Sequence, residues 1–464
     1  MRHLFYLIIL LINIPGYSFS QVSFEKKYSI QGNKETGYSI LETTNGFVVW
    51  TLSDDCGQCT SFECLSFIDS SGNLNNSKVF SKGTSDEIIG DLTLFNNGYV
   101  APITYDHYNF ITITREVSIS RFDMAGNLLQ ETILQDTLLN LSCKKVVFDN
   151  SNFSYALCNG LAPSGILIYK IDPNGNIIWR KNLGIVPEFN TVNNVLEKQN
   201  KIFVVGDGMY NGIASTFFSQ VDTSGSIDWT QHFSLADTLR GLFLATSNDG
   251  FIIAGQQFDS AGDAKIALLR TDSAGLPNWY KVINSNQKNF VKSIFIGNLG
   301  NILITGGKVD SLGSGKMLIV KTDSNGNEIW ENTYCLPDFS GCFSSFGSSI
   351  IEASDNMIVA CGEVENVQTF PNLYVIKTDS VGIVNSTQQL IPQVSPSIIQ
   401  TENGLFQVLN IQTPFELIVF DLNGRKVFEE YNSLNFNLKN KPKAMYFYTL
   451  RTANGHYSGK FILI

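Results

Sequence analysis

Histidine is almost missing from this chain of 464 residues, with four in all. His3 lies in an apolar leader and His456 near the C-terminus, which leaves only His107 and His232, far apart in sequence. No His/Cys metal spacing and no Ser/His/Asp arrangement can be assigned. Charge is also scarce: Asp, Glu, Lys and Arg make up 16%, with a net charge of −10. The strongest basic run is Lys441-Pro442-Lys443, too short for a phosphate backbone, so nucleic acid is excluded as a partner. After the leader no stretch keeps the i, i+3, i+4 apolar spacing of a helix. No later apolar run is long enough to span a bilayer.

Glycine (38) and phenylalanine (33) are plentiful. Many aromatic and β-branched residues broken by Gly and Asn predict an all-β fold with many tight turns. Arg2 and His3 precede an apolar run from Leu4 to Ile14, and Ser18 and Ser20 offer a cleavage site before Gln21. Residues 1–20 therefore read as a signal peptide, and no Cys follows the run to carry a lipid. The eight cysteines of an exported chain are free to form disulfides. Cys143 and Cys158 stand nearly equidistant from a turn near Ser151, which places them opposite each other on neighbouring strands. Cys335 and Cys342 could close a short loop. Cys361 falls within reach of the loop that holds Cys56, Cys59 and Cys64.

One hairpin recurs along the chain as Asp-x-x-Gly. It is found at Asp69–Gly72, Asp123–Gly126, Asp172–Gly175, Asp222–Gly225, Asp272–Gly275, Asp323–Gly326 and Asp379–Gly382. Successive aspartates stand 49–56 residues apart. That period suits propeller blades better than shorter solenoid units. The Asp side chain caps the turn, and Gly takes a positive φ that a Cβ would strain. Four repeats carry Trp seven residues after the Asp, at Trp179, Trp229, Trp279 and Trp330, a fixed place suited to packing between blades. A second turn recurs upstream, as at Asn45-Gly46, so each unit holds four strands. The seventh repeat has Ser386 in place of Trp, whereas Phe24 to Tyr28 matches Trp330 to Tyr334. Residues 22–30 are expected to complete the last blade and close the ring. The fold class is thus all-β: a seven-bladed β-propeller over residues 21–390, then a small Ig-like β-sandwich. A linker at 391–398 precedes residues 399–464, which read as short strands with Asn-Gly hairpins.

In that last segment Asp421-Leu422-Asn423-Gly424-Arg425 is followed by Met445-Tyr446-Phe447-Tyr448 and a Lys-containing terminal strand. This combination resembles the C-terminal type A sorting domain of type IX secretion cargo. Two features depart from the family pattern: Ser395-Pro396-Ser397 replaces the usual Pro-Asn-Pro opening, and the chain ends without a basic residue. The resemblance implies passage through the type IX secretion machinery, removal of this domain, and release or attachment at the outer surface of a Gram-negative bacterium.

The spacing Asp-x-x-Gly-x-x-x-Trp is similar to the tryptophan-docking repeat of quinoprotein propellers and near the Asp-box of sialidases. Both are structural turns in those families, and repetition on every blade signals architecture rather than one site. No Arg constellation, Tyr/Glu pair, quinone site or calcium site can be assigned. Asp172-x-Asn174-Gly175-Asn176 lacks the later bidentate acid of a calcium loop. Gly313-Ser314-Gly315-Lys316 lacks the first Gly of a phosphate loop and has Met317 in place of Ser/Thr. No catalytic residue, metal or cofactor is expected.

The tight turns should share one face, leaving the longer connections on the other as the binding surface. Tyr105, His107, Tyr108, Met209, Tyr210, Phe258, Asp259 and Phe370 are the candidate contacts there, as exposed-loop aromatic and polar groups for glycan or protein. The favoured reading is a non-catalytic secreted or surface binding and adhesion protein. The alternative is an extracellular propeller enzyme acting on glycans, or a quinoprotein-like enzyme.

Overall fold

The computed structural model describes residues 22–30, 34–55, 60–80, 86–108, 113–134, 141–160, 165–184, 188–234, 239–258, 262–283, 288–310, 313–336, 343–366, 369–384, 397–402, 404–409, 415–452 and 455–463. The leader, Cys56, Cys59, Asp259, Cys342 and Ser386 lie outside them. Two compact units divide between Ser386 and Thr387.

The first unit holds seven antiparallel sheets among the described residues, and six are built from consecutive strands. Their innermost strands are Lys34–Thr43, Asp86–Ile89 with Thr93–Leu94, Ser142–Phe148, Glu188–Lys198, Arg240–Ser247, Lys288–Ile296 and Ser344–Glu352, taken here as blades 1 to 7. Hydrophobic clusters join each sheet to the next. Val100 and Val117 of blade 2 pack with Val146 and Ala156 of blade 3, and equivalent clusters follow through blade 7. A further cluster joins Val359 and Val375 of blade 7 to Ile40 and Val49 of blade 1, and another joins blade 1 to blade 2. Seven sheets linked this way close a ring, which is the β-propeller-like class.

The seventh sheet takes its outer strand from the N-terminus. Phe24–Tyr28 pairs antiparallel with Thr369–Thr378, with Phe24 opposite Lys377. In blade 6 Trp330 stands opposite Lys321, so Phe24 occupies the tryptophan register of its blade. The expected closure by residues 22–30 is therefore present as a strand.

The Asp-x-x-Gly turns explain the tryptophans. At Asp69 the Oδ1 atom accepts the backbone N–H groups of Ser71 and Asn73 at 2.9 and 2.8 Å, and Gly72 N–H donates to the Asp69 carbonyl at 2.9 Å. Gly225 has φ +80, and a Cβ there would fall 2.7 Å from the ring of Trp179 in the preceding blade. Trp229, Trp279 and Trp330 meet Gly275, Gly326 and Gly382 in the same way, and Phe24 meets Gly72. Each turn thus receives an aromatic or long side chain from the blade before it, and the missing Cβ is what makes room. Asp172 spends both carboxylate oxygens on its own turn, accepting from Asn174, Asn176 N–H and the Asn176 amide. Asp310 and Gly313 form the same turn, which accounts for Gly313 without phosphate.

Cys143 and Cys158 are paired opposite one another and form a disulfide. Cys335 is also disulfide-bonded. Cys361 is a buried free thiol within the cluster between blades 7 and 1, so it is not the cross-link at the closure that its position suggested.

Among the described residues the second unit is a small two-sheet sandwich, one sheet of three strands and one of four. Phe406 and Val408 from one sheet pack with Leu417, Val419, Tyr446 and Phe461 from the other. Asp421 builds the same turn as the blades do, with Oδ1 accepting Asn423 and Arg425 N–H at 2.9 Å.

Candidate ligand site in the central channel

All seven blades contribute to one cavity of about 810 Å³. Its walls come from the innermost strands near their starts, such as Lys34, Phe290 and Phe346. The far ends of these strands run into the tight turns, so the cavity opens on the face opposite Asp-x-x-Gly.

A single irregularity shapes it. In six blades the innermost strand carries an extra residue at the channel wall, skipped by the pairing with its neighbour. The extra residues are Tyr38 and Lys144 in blades 1 and 3, Asn193 and Leu242 in blades 4 and 5, and Lys292 and Ser348 in blades 6 and 7. Blade 2 reaches the same result by a break. Pairing stops at Ile89 and resumes at Thr93, so three residues oppose Ala101 and Pro102. Pro102 has no N–H to give a ladder; its carbonyl accepts Gly90 N–H at 2.9 Å, and Asp91 N–H turns to the Lys144 carbonyl at 2.8 Å. Bulges re-aim side chains, and all seven of these positions line the cavity.

In four of these blades a glycine on the second strand faces the bulge, at Gly206, Gly255, Gly306 and Gly362, whereas Thr51 and Cys158 hold that place in blades 1 and 3. A Cβ at Gly306 or Gly362 would fall 1.9 Å from the carbonyl of Phe290 or Phe346. The chain therefore needs Gly at these places for close backbone approach rather than for an unusual φ.

The wall is divided by chemistry. Phe243, Phe290 and Phe346 line it from three consecutive blades, and the Phe290 and Phe346 rings lie 5.4 Å apart. Asp91, Lys144 and Asn193 line it from the three consecutive blades on another side. Asn193 is braced: its Nδ2 donates to Asp207 Oδ2 at 2.8 Å and to the Gly241 carbonyl at 2.9 Å. Asp207 Oδ1 accepts Gly241 N–H at 2.9 Å. Burial pushes the Asp207 carboxyl up to about 6, against the bonds from Asn193 and Gly241 that favour its charge. With both oxygens engaged, Asp207 holds the wall rather than offering a base. At blades 1 and 7, Thr36 Oγ1 donates to Glu363 Oε2 at 2.6 Å.

None of the described loop candidates lines this cavity. Tyr105 is a correction: it is 2% exposed, inside the cluster between blades 1 and 2, because its strand runs on to Tyr108. His107 and Tyr108 are the end of that strand, opposite Thr114 and Ile113. Met209 and Tyr210 end a strand whose connection in blade 4 is a tight Asn211-Gly212 turn with φ 52 and 75, not a long loop. Tyr210 stacks on His232 with centroids 4.0 Å apart. Phe258 is half-buried with the Arg240 guanidinium 5.4 Å from its ring. Phe370 lies in the strand Thr369–Thr378.

The bulge residues escaped sequence reading, although a signal exists. About thirty residues before each Asp-x-x-Gly aspartate, the repeated residue types give way to Tyr, Asp, Lys, Asn, Leu, Lys and Ser.

These blade sheets and the channel define a propeller-like protein with one axial cavity. No known family model matches the sequence, and no curated protein matches it. Solved structures do align with it. PorZ, a surface component of the type IX secretion system of Porphyromonas gingivalis, aligns at 9% identity and a TM-score of 0.37, over 92% of this chain and 70% of that one. The extracellular domain of the putative one-component system BT4673 from B. thetaiotaomicron aligns at 12% and 0.46, over 88% of this chain; the chain spans only 47% of that domain. The β-propeller domain of the Trilobed protease from Pyrococcus furiosus, described with an open velcro topology, aligns at 9% and 0.46, over 78% of this chain and 100% of that one.

Proposed function

We propose that this chain is an exported propeller that binds a ligand at the mouth of its central channel and performs no chemistry on it. One observation carries the reading. Six bulge positions and the break in blade 2 present seven side chains of mixed chemistry to one cavity, whereas the Asp and Gly of the turn recur in every blade. A structural role would favour one residue type at all seven, as it does for the turn Asp and Gly. The leader at residues 1–20 and the sorting-domain resemblance of the last segment support placement at the outer surface of a Gram-negative bacterium, secreted or attached, through type IX secretion. The ligand class is glycan or protein.

Residues 21–464 screened on glycan and peptide arrays should retain a ligand that Phe290→Ala releases. Ligand turnover that survives purification would replace this reading with a propeller enzyme acting on glycans. For export, a reporter fused to residues 387–464 should reach the medium or cell surface only in a host with an intact type IX system. Equal export without that system would remove the sorting assignment.

A further inference from the structure

The channel wall buries an unmet hydrogen-bond acceptor. Asn194 is 6% exposed, lines the channel, and its Oδ1 has no partner. A buried amide oxygen without a donor is destabilising, and a donor from a ligand would relieve it. Two cations are unmet as well. Lys144 and Lys292 line the channel and form no ion pair among the described residues; Lys292 lies 6.0 Å from the Phe290 ring. They sit three blades apart in a ring of seven, so they face each other across the axis. The carboxylates of the same wall are engaged, Glu363 with Thr36 at 2.6 Å and Asp91 with Lys145 at 3.7 Å.

A sugar ring has one face rich in C–H and a rim of hydroxyls. The aromatic side of the channel suits the first, and Asn194 suits a donor on the second. We propose that the channel mouth binds a negatively charged oligosaccharide, with its C–H face toward Phe290 and Phe346, a hydroxyl donating to Asn194 Oδ1 once that side chain turns out of the wall, and anionic groups beside Lys144 and Lys292. The anion is a carboxylate or a sulfate. A cavity of about 810 Å³ takes an oligosaccharide of two or three sugars, within the usual range for ligand sites. This inference rests on the channel being the binding site.

The test is calorimetric titration of residues 21–464 with three probes of equal length: a galacturonic acid trimer, a sulfated galactose trimer, and the neutral galactose trimer. One or both charged trimers should bind about tenfold tighter than the neutral one at low salt, with the gap closing as salt rises. Lys144→Gln and Lys292→Gln, both on exposed side chains, should each weaken the charged trimers by about three- to tenfold and the neutral trimer by clearly less. Asn194→Leu should weaken every trimer that binds, and its melting temperature is measured alongside to separate misfolding. Which charged trimer binds separates carboxylate from sulfate. Equal affinity for charged and neutral trimers, lysine variants without effect, or no binding by any trimer overturns the proposal. A neutral trimer that binds as tightly as the charged ones and is lost in Phe290→Ala overturns the charge assignment while the channel reading stands. A charged trimer indifferent to both Lys144→Gln and Phe290→Ala removes the channel reading too.

Discussion

The Tyr28 hydroxyl, on the N-terminal strand, donates to the carbonyl of Gly72 in blade 1 at 2.8 Å. Tyr334 makes the same bond to Gly382 at 2.7 Å between blades 6 and 7. The ring is therefore closed by the same contact that joins consecutive blades, made with a piece of chain from the other end. Tyr28→Phe should cost about 1–2 kcal/mol by leaving a shielded carbonyl unpaired. Phe24→Ala should cost about 3–4 kcal/mol, as for other buried aromatics. Urea denaturation of both variants checks this; unchanged midpoints would mean the ring does not depend on its N-terminal strand.

Gly225→Ala tests the docking of tryptophan on the turn. A Cβ there meets the Trp179 ring at 2.7 Å in a backbone of φ +80, so about 2–4 kcal/mol of destabilisation is expected. Gly212 is the control, with φ +75 and open space around a Cβ. Gly212→Ala should lose only about 1 kcal/mol from backbone strain. Equal losses at the two sites would remove the packing role.

Asp207 sets a pH dependence opposite in sign to that of the turn aspartates. Its carboxyl titrates at about 6 in the fold against an ordinary 3.8. Between those values the folded chain holds a proton that the unfolded chain has released. Stability thus falls as pH rises through that window, by up to about 3 kcal/mol. The difference between the native chain and Asp207→Asn, measured by denaturation from pH 4 to 7, should carry this slope. At Asp123 the Asn127 side-chain amide, with the backbone N–H of Asn127, holds the carboxyl below its ordinary value. Its contribution is present above that value and is lost as pH falls, so Asp123→Ala should flatten the acid limb.

The cysteines divide by burial and pairing. Replacing both Cys143 and Cys158 with Ala should cost about 3 kcal/mol, the loop entropy expected for a separation of 15 residues. Cys361 is buried, and burial pushes its thiol up. Iodoacetamide should therefore leave it unlabelled until the chain unfolds, as read by mass spectrometry; labelling at the rate of a free peptide would contradict its placement.

The blades were legible because their signals are local. Asp binds the N–H groups two and four residues on, Gly frees the turn, and the match of Phe24 to Tyr28 with Trp330 to Tyr334 survives as a pattern of aromatic spacing. The channel was not legible for the opposite reason. A bulge adds one residue to an apolar strand without any special composition, and its partner glycine, such as Gly306, lies on the neighbouring strand. Tyr105 was misplaced on the same account. Its polar and aromatic surroundings resemble a loop, whereas the strand continues and buries it against blade 1.

The closing strand bonds residues 349 positions apart, as Tyr374 donates to Glu25. Contacts that distant form late, because loop closure must come first. Until then the strand Thr369–Thr378 is an open edge, the kind of surface that recruits foreign strands. Completion of the ring hides it. An unfinished molecule thus differs from a finished one by an exposed strand edge.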